Sequence, residues 1–149
     1  DYISSLVISL RPMVKKKKVT IQTHCQEELT IKTYRGALAQ VITNLISNCA
    51  EHAFKTPDEN HHIDIFVEKQ NTDAVLRITD NGAGIEPDIQ HKIFEPFYTT
   101  ARDDGGSGLG LSIVYNLVQR KLNGTIDVQS QLNKGTTFTV RLPNIIDWT

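Results

Sequence analysis

Apolar residues recur along this chain with two different periods, and each change of period marks an element. Tyr2, Ile3, Leu6, Val7, Leu10 and Met13 fall at helical spacing, which predicts a helix over residues 1–14 with Pro12 near its end. Val19-Thr20-Ile21-Gln22-Thr23 and Leu29-Thr30-Ile31-Lys32-Thr33-Tyr34 alternate, and each predicts a short strand. From Gly36 to Phe54 the spacing is helical again. Leu38, Val41, Ile42, Leu45, Cys49 and Ala53 share one face, while Gln40, Asn44, Ser47, Asn48, Glu51 and Lys55 share the other. Pro57-Asp58-Glu59-Asn60 reads as a turn. Ile63, Ile65 and Val67 alternate with polar partners, and Ala74 to Thr79 follows Asn71-Thr72-Asp73, as in a hairpin. Glu86 to Ile93 predicts a short helix with Pro87 in its first turn. Residues 98–107 are polar and glycine-rich and carry neither period. Leu109 to Leu122 predicts a helix with Leu111, Val114, Leu117, Val118 and Leu122 apolar, ended by Asn123-Gly124. Thr125 to Ser130 and Thr136 to Leu142 predict a last hairpin across Asn133-Lys134-Gly135. The order implies a two-layer α/β (α+β) sandwich: a mixed sheet of about five strands with about three helices on one face.

Composition changes this picture little. The chain has 149 residues, 39% of them hydrophobic and 22% charged, which suits one globular domain. A net charge of -1 argues against a nucleic-acid surface, since phosphate binding shows as a basic excess. Lys15-Lys16-Lys17-Lys18 is the only basic run and has no interleaved aromatics, so it reads as a solvated linker or helix end. Cys25 and Cys49 have no cysteine or histidine at zinc spacing. Both are expected as reduced thiols, Cys49 in the core, which points to the cytoplasm. No stretch approaches the ~20 apolar residues of a membrane span, so no membrane contact is expected of this segment. With no starting methionine, the chain is expected to be part of a longer protein, one that could be membrane-anchored elsewhere.

Four segments carry candidate chemistry. Asn44 and Asn48 lie one turn apart on the polar helix face, and a neutral amide oxygen is a hard ligand suited to Mg²⁺. Taken alone, two asparagines also describe a solvated helix face. Asp80-Asn81-Gly82-Ala83-Gly84 follows a strand, so its carboxylate could accept from an exocyclic amino group, or the segment could be a plain turn. Phe94-Glu95-Pro96-Phe97 forms an aromatic-proline corner. Gly105-Gly106-Ser107-Gly108-Leu109-Gly110 leads into a helix, whose free amides suit phosphate. It is neither a P-loop, lacking Gly-Lys-Ser/Thr, nor a dinucleotide fingerprint, since Leu111 stands where the third glycine would be.

In this order the four segments resemble the N, G1, F and G2 boxes of the catalytic and ATP-binding domain of sensor histidine kinases. The likeness extends from about Val19 to Pro143. This is the Bergerat fold, shared with the gyrase, heat-shock-protein-90 and MutL ATPases. The resemblance implies ATP and Mg²⁺, with Asn48 as metal ligand and Asn44 assisting. It implies that Asp80 binds the adenine amino group, with Thr136 beside it, and that Gly82 and Gly84 let the ring approach. Ile85 and Leu111 would line the nucleotide. Gly106, Gly108, Leu109 and Gly110 would bring amides to the phosphates. Phe94 and Phe97 would anchor a lid over residues 98–107 contributing Thr99, Thr100 and Arg102, expected to be mobile in the free protein and ordered at least partly by nucleotide. Residues 1–17 would end an upstream dimerisation helix and linker, 18–143 would be the catalytic domain and 144–149 a C-terminal tail.

The same resemblance discriminates between reactions. The ATPase branch has a glutamate where this chain has Asn44, and an amide cannot take a proton at neutral pH. Transfer to a protein acceptor is therefore expected over hydrolysis, with a non-catalytic docking module as the alternative from another class. None of His24, His52, His61, His62 and His91 sits in an acceptor-helix pattern. The acceptor would lie on a separate helical domain, with a response-regulator receiver domain next in the relay. Two positions depart from the pattern. Glu51 stands where many members have lysine and could serve as a base for the acceptor imidazole, with His52 beside it. Ala101 stands where relatives often have lysine or arginine, and Arg102 could replace it. The fragment is expected to be monomeric and its parent a homodimer through the absent helices.

Overall fold

β1 (Thr20–Cys25) runs parallel to β3 (His62–Gln70), and β3 turns through Asn71-Thr72 into β4 (Asp73–Asp80). β5 (Thr125–Gln131) and β6 (Gly135–Leu142) complete a mixed sheet in the order β1-β3-β4-β6-β5, in which only the first pair is parallel. The computed structural model describes residues 8, 19–25, 30–31, 35–50, 61–95, 110–143 and 146–147. The expected helix over 1–14 lies outside them, apart from helical Ile8. β2 (Thr30–Ile31) pairs antiparallel with β7 (Ile146–Asp147), so residues from the expected tail form a strand.

The register turns the alternation of each strand into rows across the sheet. Ile65, Ile78, Phe138 and Val128 are successive cross-strand partners, as are Val67, Leu76, Val140 and Ile126. Both rows lie on the face that joins the helices in one core. Fully burying each such side chain contributes roughly 1.5–3 kcal/mol, so these rows hold the layers together. The opposite face is mostly polar. There Thr79 and Thr137 hydroxyls meet at 3.1 Å, Arg77 pairs with Glu68, Arg141 reaches Gln70 and Asp73, and His24 stacks on Phe66.

Among the described residues, α1 (Arg35–Asn48), a 3₁₀ turn over Pro87–Lys92 and α2 (Gly110–Asn116) cover the core face. In α1 and the turn that follows it, Leu38, Val41, Ile42, Leu45 and Cys49 of the expected stripe are buried, and Ile46 and Ala50 join them, while Ala53 lies outside the described residues. The stripe is wider than expected because α1 packs on α2 as well as on the sheet, and because its helix passes into a wider π turn at Cys49 and Ala50. The expected helix over 109–122 is likewise two pieces, α2 followed by a π turn at Leu117–Lys121. Val114, Val118 and Leu122 are all buried at intervals of four, which drift around a 3.6-residue turn, and one wide turn restores the line. Asn123 supplies the positive φ of 55° at the helix end, where the Gly124 N–H donates to the Val118 carbonyl at 2.7 Å. Gly124 serves a different need, since a Cβ there would stand 2.3 Å from the Arg141 carbonyl oxygen.

Candidate functional site

One row of the covered face breaks the apolar pattern. Ile21, Ile63, Asp80, Thr136 and Ser130 are successive partners at the end of the sheet where β4 stops. Asp80 is only 4% exposed, a position where an ionised carboxylate survives only if donors surround it. The Gly82 N–H donates to its Oδ1 at 2.9 Å, and the Thr136 backbone and the Cys49 thiol stabilise its charged form. Burial pushes the Asp80 carboxyl above its ordinary pKa, and these donors, with His62 nearby, oppose that shift. A carboxylate has about four acceptor positions, so the Gly82 N–H leaves capacity for further donors. Burial, with the Asp80 charge adding to it, holds the Cys49 thiol protonated by raising its pKa well above normal.

The loop after Asp80 is clamped to the β5–β6 hairpin. The Ile85 N–H donates to Ser130 Oγ at 2.7 Å, and the Asn133 N–H donates to the Ala83 carbonyl at 2.7 Å. Gln90 Nε2 bridges the Ile85 and Ser130 carbonyls at 3.0 and 3.2 Å. Gly84 sits at φ 77°, where a Cβ would stand 2.2 Å from the Gln131 carbonyl oxygen. Gly135, at φ 122°, lies so near the Asp80 carbonyl oxygen that a Cβ would come within 2.0 Å. Both glycines are therefore fixed by backbone approach within the protein. On the strand side, the Asn81 side-chain oxygen accepts from the His62 N–H at 2.9 Å and pins the end of β4 to β3.

α1 brings its asparagines to the other side of the site. Asn44 and Asn48 are half-buried, and Asn44 Nδ2 donates to the Gly110 carbonyl at 3.4 Å, tying the asparagine segment to the glycine-rich one. With its amide nitrogen so engaged, the Asn44 oxygen remains available, and the pair offers the neutral oxygen donors that fit Mg²⁺. Gly110 is exposed at the start of α2, and a Cβ there would meet nothing within 4 Å. Packing does not demand that glycine. Ile85 and Leu111 are half-buried against the core, and Phe94 packs on Tyr115 and Phe138 with ring centroids 5.5 and 6.3 Å apart.

The structure thus joins Asp80, Gly82 and Thr136 in one cluster, Gly84 and Ile85 on its hairpin side, and Asn44 with Gly110 on its helix side. Glu51, His52, Thr99, Thr100, Arg102, Gly106, Gly108 and Leu109 lie outside the described residues, as do Phe97 and the expected lid. Two participants were not singled out from the sequence. Ser130 carries a signal: after inward Ile126 and Val128, the alternation reserves its position for an apolar residue. Cys49 carries none, because a helix-face cysteine reads as core, and its contact with Asp80 comes from the packing of α1 on β4.

This arrangement can be set beside known proteins. Residues 33–146 match the family of histidine kinase-, DNA gyrase B- and HSP90-like ATPases. The chain belongs to that family. The autoinducer 2 sensor kinase/phosphatase LuxQ of Vibrio parahaemolyticus is 38% identical over 150 residues, covering 96% of this chain and 17% of LuxQ. Sporulation kinase B of Bacillus subtilis is 31% identical over 140 residues, 94% of this chain and 31% of that kinase. The chain therefore spans less than a third of either relative's length. The nucleotide-free catalytic domain of the histidine kinase ThkA matches with a TM-score of 0.80 at 26% identity, over 96% of this chain and 90% of that one. Full-length ShkA in complex with AMPPNP matches with a TM-score of 0.85 at 23% identity, over 99% of this chain and 30% of ShkA, which shows the shared fold. The chain is a histidine-kinase-type catalytic and ATP-binding domain, and the mixed sheet with helices on one face is the fold expected of it.

Proposed function

We propose that this domain binds Mg-ATP and transfers its γ-phosphate to a histidine on a helical phosphoacceptor domain outside the chain, for relay to a response-regulator receiver domain. The observation that carries the reading is Asp80, a buried carboxylate that accepts from the Gly82 N–H and has room for a further donor. An adenine amino group is the donor it would take, with Thr136 alongside. The unconstrained Gly110 is consistent with a place kept open for phosphate, together with Gly106, Gly108 and Leu109. Asn48 and Asn44 would hold Mg²⁺, which would neutralise charge on the phosphates.

In the transfer, an imidazole nitrogen bonds to the γ-phosphorus, the bond to the β–γ bridging oxygen breaks, and ADP leaves. Glu51 is proposed to take the imidazole proton, with His52, Thr99, Thr100 and Arg102 near the nucleotide. Asn44 cannot activate water as a base, which favours a protein acceptor over hydrolysis. A structure neighbour at 25% identity and a TM-score of 0.77 is ThkA in complex with its response regulator TrrA, which supports a receiver domain as partner. The relatives' greater length supports a longer parent, which is proposed to dimerise through its helical domain. A cytoplasmic setting is proposed from the free thiol of Cys49.

The test is to incubate this chain with Mg-ATP labelled at the γ-phosphate and a separately supplied acceptor domain. Acid-labile, base-stable label on the acceptor histidine is the expected product. Label retained on this chain, or released as inorganic phosphate faster than it reaches the acceptor, would contradict the proposal.

A further inference from the structure

We infer that Ser130 sets the hydrogen-bond polarity of the base site, and through it the choice of a 6-amino over a 6-oxo purine. The inference rests on the reading of the Asp80 cluster as a purine site. Ser130 is no part of the four segments that define that site, and its hydroxyl makes three contacts. The Ile85 N–H donates to it at 2.7 Å, the Gly135 carbonyl lies at 2.9 Å and the Thr136 hydroxyl at 2.9 Å. A hydroxyl has one proton and two lone pairs. A carbonyl only accepts, so the Ser130 proton belongs to Gly135. One Ser130 lone pair is filled by the Ile85 N–H. The remaining contact is a hydrogen bond only if Thr136 donates its proton to Ser130.

The direction of that proton matters one strand away. With its hydrogen turned to Ser130, the Thr136 oxygen offers only lone pairs. Its cross-strand partner Asp80, ionised and already receiving the Gly82 N–H, also only accepts. The polar row therefore presents acceptors side by side, complementary to an exocyclic amino group. A 6-oxo base would set its own lone pairs against them, and misdirected polar groups in a buried site are rejected strongly. Removing the Ser130 hydroxyl frees Thr136 to rotate and donate, so a 6-oxo base gains a partner that the native site withholds.

The experiment measures dissociation constants of Mg-ATP and Mg-ITP, which differ at position 6 and in the N1 proton, for the whole chain and its Ser130→Ala, Ser130→Thr and Thr136→Ala variants. The native chain should prefer ATP. Ser130→Ala should narrow the ATP-to-ITP ratio by about tenfold or more, chiefly by improving ITP, and Ser130→Thr, which restores the hydroxyl, should return the ratio towards native. Thr136→Ala should weaken ATP while leaving ITP unchanged or tighter, and it decides the question even if Ser130→Ala does not fold. Native binding of ATP with the same ratio in Ser130→Ala and Thr136→Ala would overturn this inference and leave the kinase reading standing. Failure of the folded native chain to bind either nucleotide would overturn both.

Discussion

Two stretches of one sheet face differ sharply. The rows through Ile65–Ile78–Phe138 and Val67–Leu76–Val140 are apolar throughout, while the next row holds Asp80, Thr136 and Ser130 side by side. Both stretches lie on the same face of the sheet and are buried to a similar degree, so burial does not separate the scaffold from the candidate site. The separation lies in what the buried groups do with their hydrogen-bonding capacity. The apolar rows have none to satisfy, whereas the polar row satisfies much of its own within the protein, as the Gly82 N–H does for Asp80. A site built this way keeps a carboxylate dry and aimed, at the cost of holding a charge where the fold alone would prefer none.

That contrast can be broken from either side. Phe138→Ala cuts the apolar row and should cost about 3–5 kcal/mol in denaturant unfolding, a large part of a domain's ~5–15 kcal/mol. Binding of Mg-ATP by the molecules that remain folded should change little, and a loss of affinity as large as the loss of stability would erase the distinction. Gly135→Ala strikes both regions. It strains a positive-φ position, worth about 1–3 kcal/mol, and drives a Cβ into the Asp80 carbonyl, so both the unfolding midpoint and nucleotide affinity should fall.

Acid should pull the two properties apart. Because burial raises the folded-state pKa of Asp80, the folded chain takes up its proton before the unfolded chain does. As pH falls from the raised folded value toward the ordinary 3.8, wild-type stability should rise relative to Asp80→Asn. Nucleotide affinity should fall over the same window, because the protonated carboxyl no longer accepts as an anion. Paired titrations of melting and binding would show the opposed slopes, and parallel slopes would contradict the charge assignment. The smallest effect belongs to the open face. Arg77→Ala removes a half-exposed partner of Glu68 and should cost no more than about 1 kcal/mol, with binding unchanged.

Much of this was legible in the residues. Ile63, Ile65 and Val67 alternate with polar neighbours, and that period alone assigns β3 and its inward face. The candidate site was legible where short segments carry distinctive residue combinations, as at Asp80-Asn81-Gly82-Ala83-Gly84, whose carboxylate the structure buries. It was less legible where function depends on register. Nothing local links Ser130 to Asp80, because their connection runs through β6 and exists only once the three strands are in line. Cys49 was obscured for a related reason: its helical position predicts burial but not which buried atom it will face. The glycines at 84 and 135 were readable as turn formers, yet what fixes them is a carbonyl oxygen distant in sequence.

The central claim is that the buried, donor-ringed carboxylate of Asp80 is the adenine anchor of an ATP-binding kinase domain. The most direct test is a calorimetric titration of Mg-ATP into the wild-type chain and into Asp80→Asn, with circular dichroism confirming that both are folded. Saturable one-to-one binding is expected of the wild type, with at least a roughly tenfold loss in the variant, as when a hydrogen bond to a charged group is removed. Equal affinity in the two proteins, or no binding by the folded wild type, would contradict the claim.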